Sequence, residues 1–220
     1  MSVLSILESR YSVRGFKKDP VDAELIKSIF SQAQRSASNC NVQPWQSYVV
    51  SGETRDKVSE ALVKAVMSGN PPNPKFDWVT RYQDEHRQRQ FGSANALYSA
   101  LGIAREDKMA RNIAMLRNWQ FFDAPHAVFF VMEKYMGIMG AVDIGIYAQT
   151  LSLLLEENGI QSCMQGALGQ FPAPVEELLG IPESQGILFG MSFGYEDKEH
   201  PANAARTDRA DLSDAVKFFT

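Results

Sequence analysis

Cysteine and histidine are scarce in this 220-residue chain: Cys40 and Cys163 are the only cysteines, and His86, His126 and His200 are scattered. Two isolated cysteines without a C-x-x-C exclude a disulfide scaffold, and no spacing suits a structural zinc. No two glycines are separated by a single residue, so the G-x-G-x-x-G fingerprint and the kinase Gly-rich loop are missing, and G-x-x-x-x-G-K-[ST] and H-E-x-x-H are absent as well. A nucleotide-like cofactor would therefore have to be held without a Gly-rich turn. Basic excess is lacking: 22 Lys+Arg face 26 Asp+Glu, for a net charge of −4. That balance argues against a dedicated nucleic-acid binder, which needs a basic stripe for phosphate contact. The longest charge-free stretch, Asn158 to Val175, holds three Gly, two Pro and three Gln, and so fails as the ~20 apolar residues of a membrane span. Val3–Leu7 ahead of Glu8 and Arg10 is too short for the apolar region of a signal peptide. The expectation is a cytoplasmic, reduced, soluble protein with small-molecule or protein partners, no nucleic acid, no membrane and no metal.

The chain is 45% hydrophobic, and at this size a single domain buries roughly 70–75% of the surface its unfolded chain exposes, so a normal core is available. Val3, Leu4 and Leu7 sit at helical spacing. After Pro20 and Asp22, a helix start signal, the stripe Leu25, Ile26, Ile29, Phe30, Ala33 has a period of 3.6. Residues 36–44 are a polar loop, Ser47–Val50 a short strand, and 53–67 a helix. Asn70-Pro71-Pro72-Asn73-Pro74 breaks any regular element. Residues 77–121 are charged and helix-prone, predicting two or three helices interrupted at Gly92 and Gly102. The continuous apolar run Ala127–Met132 predicts a strand buried on both faces. Residues 140–157 predict a helix apolar all round, which must be enclosed. Short strands follow at 160–164 and 186–194, with a helix at 173–179 between them closed by Gly180, and Leu212, Val216 and Phe218 lie at near-helical spacing in a polar tail. Strands alternating with helices predict a mixed class around one sheet.

Four segments carry candidate chemistry. Gly190-Met191-Ser192-Phe193-Gly194 matches the G-x-S-x-G pattern, but a nucleophile elbow needs a strand-to-helix turn with a later acid and histidine. Ser192 instead lies inside an apolar alternation, and the reading is a Gly-rich buried strand. Arg10-Tyr11-Ser12-Val13-Arg14 places two guanidiniums and a hydroxyl at i, i+2 and i+4, a forked donor set suited to phosphate or a polarised carbonyl. Arg206-Thr207-Asp208-Arg209 repeats that chemistry near the other end. The loop Ser36–Trp45 packs neutral donors and acceptors that could read the edge of a heterocycle. Taken singly, the two arginine segments read more readily as solvated surface and tail, and the loop serves equally as a helix cap or turn.

In this order the segments resemble the FMN-dependent nitroreductase family. The chain has an R-x-S-x-R-x-F turn (Arg10, Ser12, Arg14, Phe16) and a loop of P-S-x-x-N-x-Q-P-W type (Ala37 in place of the usual proline, then Ser38, Asn39, Cys40, Asn41, Val42, Gln43, Pro44, Trp45). The buried central helix follows, then Gln165-Gly166-Ala167, Leu179-Gly180-Ile181-Pro182, and a tail of N-x-x-R-T-x-R type (Asn203, Arg206, Thr207, Arg209). The resemblance implies an α+β, three-layer α/β/α domain over residues 1–220 with one central mixed sheet, in an intertwined homodimer. Residues 70–122 would be a variable helical active-site region and 200–220 a C-terminal extension. It implies FMN as cofactor and NADH or NADPH as donor. Arg10, Tyr11, Ser12, Arg206 and Arg209 would serve the phosphate and ribityl chain, and Arg14 the N1/C2 carbonyl edge of the isoalloxazine. Backbone donors around Gln165 and Gly166 would face N5, and the loop residues Ala37, Ser38, Asn39, Asn41 and Gln43 would reach the flavin from the second subunit. Trp119, Phe121 and Phe122 are candidates to cover the flavin and meet substrate, or are ordinary packing aromatics. The implied activity is ping-pong hydride transfer from NAD(P)H to nitroaromatic or quinone-type acceptors, with no catalytic side chain of its own. Enone or aldehyde reduction, flavin reduction, dehalogenation and oxygen-dependent dehydrogenation at the same site stay open, as does an FMN-binding protein without turnover.

Overall fold

The structure, a computed structural model, describes residues 2–77 and 81–220; residues 78–80 of the expected helical stretch 77–121 lie outside them. Along the chain run α1 (Val3–Ser9), α2 (Ala23–Ala33), β1 (Gln46–Ser51), α3 (Gly52–Met67), α4 (Asp84–Ala100), α5 (Lys108–Leu116), β2 (His126–Glu133), α6 (Gly137–Glu157), β3 (Gln161–Gln165), α7 (Pro172–Leu179), β4 (Gln185–Gly194) and the short α8 (Leu212–Ala215). Local chemistry accounts for several boundaries. The Asp22 carboxylate caps α2 by accepting from the Glu24 and Leu25 N–H groups, 3.0 Å each. Gly102, at φ +66°, lies just past the end of α4, whereas Gly92 sits inside that helix and does not interrupt it. Gly180 closes α7 in the left-handed conformation.

The strands form one sheet in the order β1-β2-β4-β3. Every ladder between them is antiparallel, and the parallel component of the sheet is confined to the isolated bridge between Ser12 and Ser162. Side chains alternate across the central strand β2. Phe129 and Val131 join Val58, Leu62, Phe121 and Val175 on one face, under α3 and α7. Val128, Phe130 and Met132 join Ile29, Ile144, Tyr147, Leu151 and Leu155 on the other, under α2 and α6. That two-sided burial is why the run reads as continuously apolar, and it makes the domain three-layered.

Helix α6 is only half enclosed by its own chain. Ile144, Tyr147, Ala148, Leu151 and Leu155 face the sheet and are buried, while Ile138, Val142 and Ile146, four residues apart, form an exposed stripe with Tyr135 and Met139 beside it. By length and composition the helical run Lys134–Glu157 could also cross a membrane. Asp143 lies inside the run and breaks it into shorter charge-free pieces. Its buried face is the core layer of the sheet.

Candidate active site

The two ends of the chain meet beside β3 and β4. After α1 the backbone extends through Arg10–Phe16, with the Val13 N–H donating to the Ser162 carbonyl (3.2 Å) on β3. The polar segment after β4 returns alongside it: the Lys17 N–H donates to Tyr195 O (2.8 Å) and the Asp197 N–H to Gly15 O (3.0 Å). Gly15 is required there, because a Cβ would stand 2.2 Å from His200 Cγ. The Tyr11 hydroxyl donates to Glu196 Oε1, and the Arg206 guanidinium lies 3.6 Å from the Tyr11 ring centroid. Burial, reinforced by the Glu196 carboxylate, pushes the Tyr11 phenol up to about 12. Arg14 Nη1 donates to Ser12 O (3.2 Å), and the Arg14 N–H donates to Asn203 Oδ1 (2.7 Å). Beneath the turn, burial raises the Cys163 thiol, while Arg14, Ser12 and Arg10 act in the opposite direction.

Arg10, Tyr11, Ser12, Arg14 and Arg206 thus form one cluster. Arg209 is exposed and, among the described residues, bonds within Thr207–Asp208 at 3.0–3.3 Å. It shares with Arg206 a groove of about 970 Å³ between α4 and the tail. Gln165 is buried, its side chain turned inward. Ser192 Oγ donates to Gln165 Oε1, and Gln165 Nε2 donates to the Asn118 carbonyl (2.8 Å). Gly166 is exposed at the start of the 3-10 turn 166–169. That turn packs on β4 because Gly169 and Gly190 leave room: added Cβ atoms would meet Leu188 O at 2.5 Å and Leu168 Cδ1 at 2.6 Å. The G-x-S-x-G pattern is therefore a packing feature of a strand, as the alternation predicts.

The loop Ala37–Gln43 sits against α6. The Asn39 N–H donates to the Asp143 carboxylate (3.0 and 3.2 Å) and the Gln43 N–H to Ser38 Oγ (3.0 Å). Cys40, Asn41 and Gln43 take positive φ values of 48–56°, strained backbone of the kind that clusters at ligand sites. Ala37, Asn39, Asn41 and Gln43 are exposed and Ser38 is half-buried.

Trp119, Phe121 and Phe122 are core residues, 4%, 0% and 4% exposed. Phe121 packs edge-on against Phe129, and Trp119 Nε1 donates to Ala167 O (3.1 Å) behind the 166–169 turn. Side chains so enclosed pack the core of the free chain and would meet a ligand only by unpacking. Sequence reasoning passed over Asp143, Asn118 and Glu196. A lone acid inside an apolar helix was the available signal for Asp143; the others have none.

A nitroreductase family profile matches residues 7–195. The chain belongs to the nitroreductase family. Among relatives of this nitroreductase, nitroreductase NfnB of Mycolicibacterium smegmatis is 36% identical over 97% of this chain and 91% of its own length. Nitrobenzene nitroreductase of Ectopseudomonas oleovorans is 29% identical over 97% and 95% respectively. The crystal structure of the FMN and NADPH-dependent nitroreductase NfnB from Sphigopyxis sp. strain HMH superposes with a TM-score of 0.96, at 35% identity and full coverage of both chains. The protein is an oxidoreductase of α+β fold, with its candidate site where the chain ends meet.

Proposed function

We propose that this nitroreductase is an FMN-dependent enzyme that oxidises NADPH and reduces nitroaromatic acceptors, working in the cytoplasm as a homodimer. The observation that carries this reading is the convergence of Arg10, Ser12, Arg14 and Arg206 beside Tyr11 and Asn203. Guanidiniums and a hydroxyl gathered without a Gly-rich loop are the donor chemistry that a flavin phosphate and carbonyl edge require, so the residues present fit FMN. The FMN and NADPH dependence of the Sphigopyxis relative, and the nitrobenzene activity in the name of another, support the choice of cofactor, donor and acceptor.

FMN, when bound, supplies two-electron acceptance and delivery at N5. Arg10, Ser12 and Arg206, joined by Arg209 from the groove wall, bind and neutralise the phosphate. Arg14 holds a fixed positive charge toward the N1/C2 edge, which favours negative charge developing there. The Gln165–Gly166 backbone is braced from behind by Ser192, Asn118 and Trp119 and lends its donors to the N5 side. The 37–43 loop lies on α6 near the exposed stripe Ile138, Val142, Ile146. That exposed apolar stripe beside the loop is a surface that a second copy would cover, which supports the dimer. Two free cysteines fit a reducing compartment.

The test is steady-state NADPH oxidation with FMN-loaded protein against nitroaromatics, quinones, enones and free flavin, with and without oxygen. Turnover dominated by nitroaromatics is the expected result. Turnover only with enones or oxygen would move the activity to those chemistries, and FMN that NADPH cannot reduce would leave a binding protein.

A further inference from the structure

We infer that Asn203 is a positioning residue that locks the Arg14 turn and the Arg206 tail into one anion site, a role toward FMN that rests on the reading above. An asparagine amide offers one acceptor oxygen and two N–H donors, and here each has a main-chain partner. Oδ1 accepts from the Arg14 N–H (2.7 Å), while Nδ2 donates to the Gly15 carbonyl (2.8 Å) and to the Asp197 carbonyl (2.8 Å). Its own carbonyl accepts from Arg206 Nη1. The residue is 4% exposed, so none of these bonds exchanges freely with water.

The main-chain bonds that tie the returning segment to the turn, Lys17 to Tyr195 and Asp197 to Gly15, reach no further than residue 197. Beyond it the tail meets the turn through the packing of His200 on Gly15, the Asn203 amide and the stacking of Arg206 on Tyr11, and the amide supplies the hydrogen bonds. Without the amide, the Arg14 main chain would lose its direct hydrogen bond to the segment that carries Arg206, and the stacking on Tyr11 would be left to hold that side chain. The position demands both kinds of group at this reach. Aspartate cannot donate to the two carbonyls, serine has one donor, and glutamine adds a methylene at a position that is 4% exposed.

The experiment measures FMN affinity of the full-length apoprotein by flavin fluorescence, together with the midpoint potential of bound flavin and the melting temperature of the apo form. For Asn203→Ala, the expected result is about tenfold or greater loss of FMN affinity, in line with unpairing buried polar groups, and a more negative potential because the Arg14 charge is no longer held. The potential separates positioning from general destabilisation. Asn203→Asp keeps an acceptor for Arg14 but sets a carboxylate against two carbonyls. It should bind FMN weakly at neutral pH and regain affinity relative to wild type as the pH falls, once its protonated form can donate. Wild-type affinity and potential in Asn203→Ala would overturn the inference. If that variant does not fold, wild-type affinity of Asn203→Asp at neutral pH would overturn it instead. Failure of the wild-type chain to bind FMN would sink the cofactor reading and leave the joint to be read by limited proteolysis: faster cleavage of residues 204–220 in the variants supports it, unchanged cleavage refutes it.

Discussion

Single side chains do two kinds of work at the junction of the chain ends: some face the anion, others hold those that do. Arg206 is of the first kind, oriented by the Tyr11 ring and the Asn203 carbonyl. Replacing it with alanine should weaken FMN retention by about 1.5–3 kcal/mol, roughly ten- to hundredfold in Kd, the scale of a hydrogen bond to a charged group. Equilibrium dialysis of flavin checks this, and a fully yellow purified variant would contradict it. His126 does a different job. Its Nε2 accepts from the Val21 N–H (2.9 Å), so Nδ1 carries the proton toward Ser51 Oγ, and burial lowers its pKa from 6.5. His200 is lowered too, by burial and then by Arg117. The unfolded chain therefore takes up protons at a pH where the folded chain does not. Stability is fully present above about pH 7, falls as the pH drops through 6.5, and levels once the folded-state values are passed. Melting temperatures across that range should show the fall, and His126→Asn, which can still accept from Val21, should show a shallower one. Of this scale the sequence made the arginines legible, because guanidinium spacing is local. It hid Asn203's task, since partners 188 residues away leave no local pattern.

At the scale of elements, buried strands and long helices were legible and their mutual arrangement was not. Ala127–Met132 announced β2 by an apolar run, and α6 announced itself by length. Antiparallel pairing throughout the sheet could not be read from alternation of strands and helices, because direction is set by crossovers the periodicity does not encode. Gly92 looked like a breaker, yet a helix tolerates one glycine at a cost of about 1 kcal/mol relative to alanine. The reverse holds in β4, where Gly190 leaves no room for a side chain. Gly190→Ala would push a methyl to 2.6 Å from Leu168 and 2.9 Å from the Val128 carbonyl. The expected loss is about 1–3 kcal/mol in urea unfolding, the scale of overpacking in a closed core, with disturbance of the 166–169 turn. An unchanged midpoint would show that the turn is not seated against the strand. On α6, Asp143→Ala removes the acceptor for the Asn39 N–H and should cost a similar amount while loosening the 37–43 loop; hydrogen exchange at Asn39 reads it directly.

For the whole molecule, the sequence expectation that α6 must be enclosed is met on one side only. Ile138 is 80% exposed and its row continues through Val142 and Ile146, and among the described residues nothing covers that row. The proposed dimer would cover it with a second copy, and sedimentation should then find a species of twice the 24.6 kDa chain, with Ile138→Glu shifting it toward the monomer and lowering flavin content together. A monomer that keeps its flavin would separate the two. Scarcity of cysteine and histidine also takes its meaning at this scale: a chain poor in reactive side chains suits redox chemistry done by a bound cofactor, and the protein supplies charge, position and shelter. The most direct measurement is the visible absorbance of the purified, FMN-loaded protein under anaerobic conditions, before and after NADPH and then after a nitroaromatic. The account predicts a flavin band that NADPH bleaches and the nitroaromatic restores. Protein that stays colourless after incubation with FMN would contradict it.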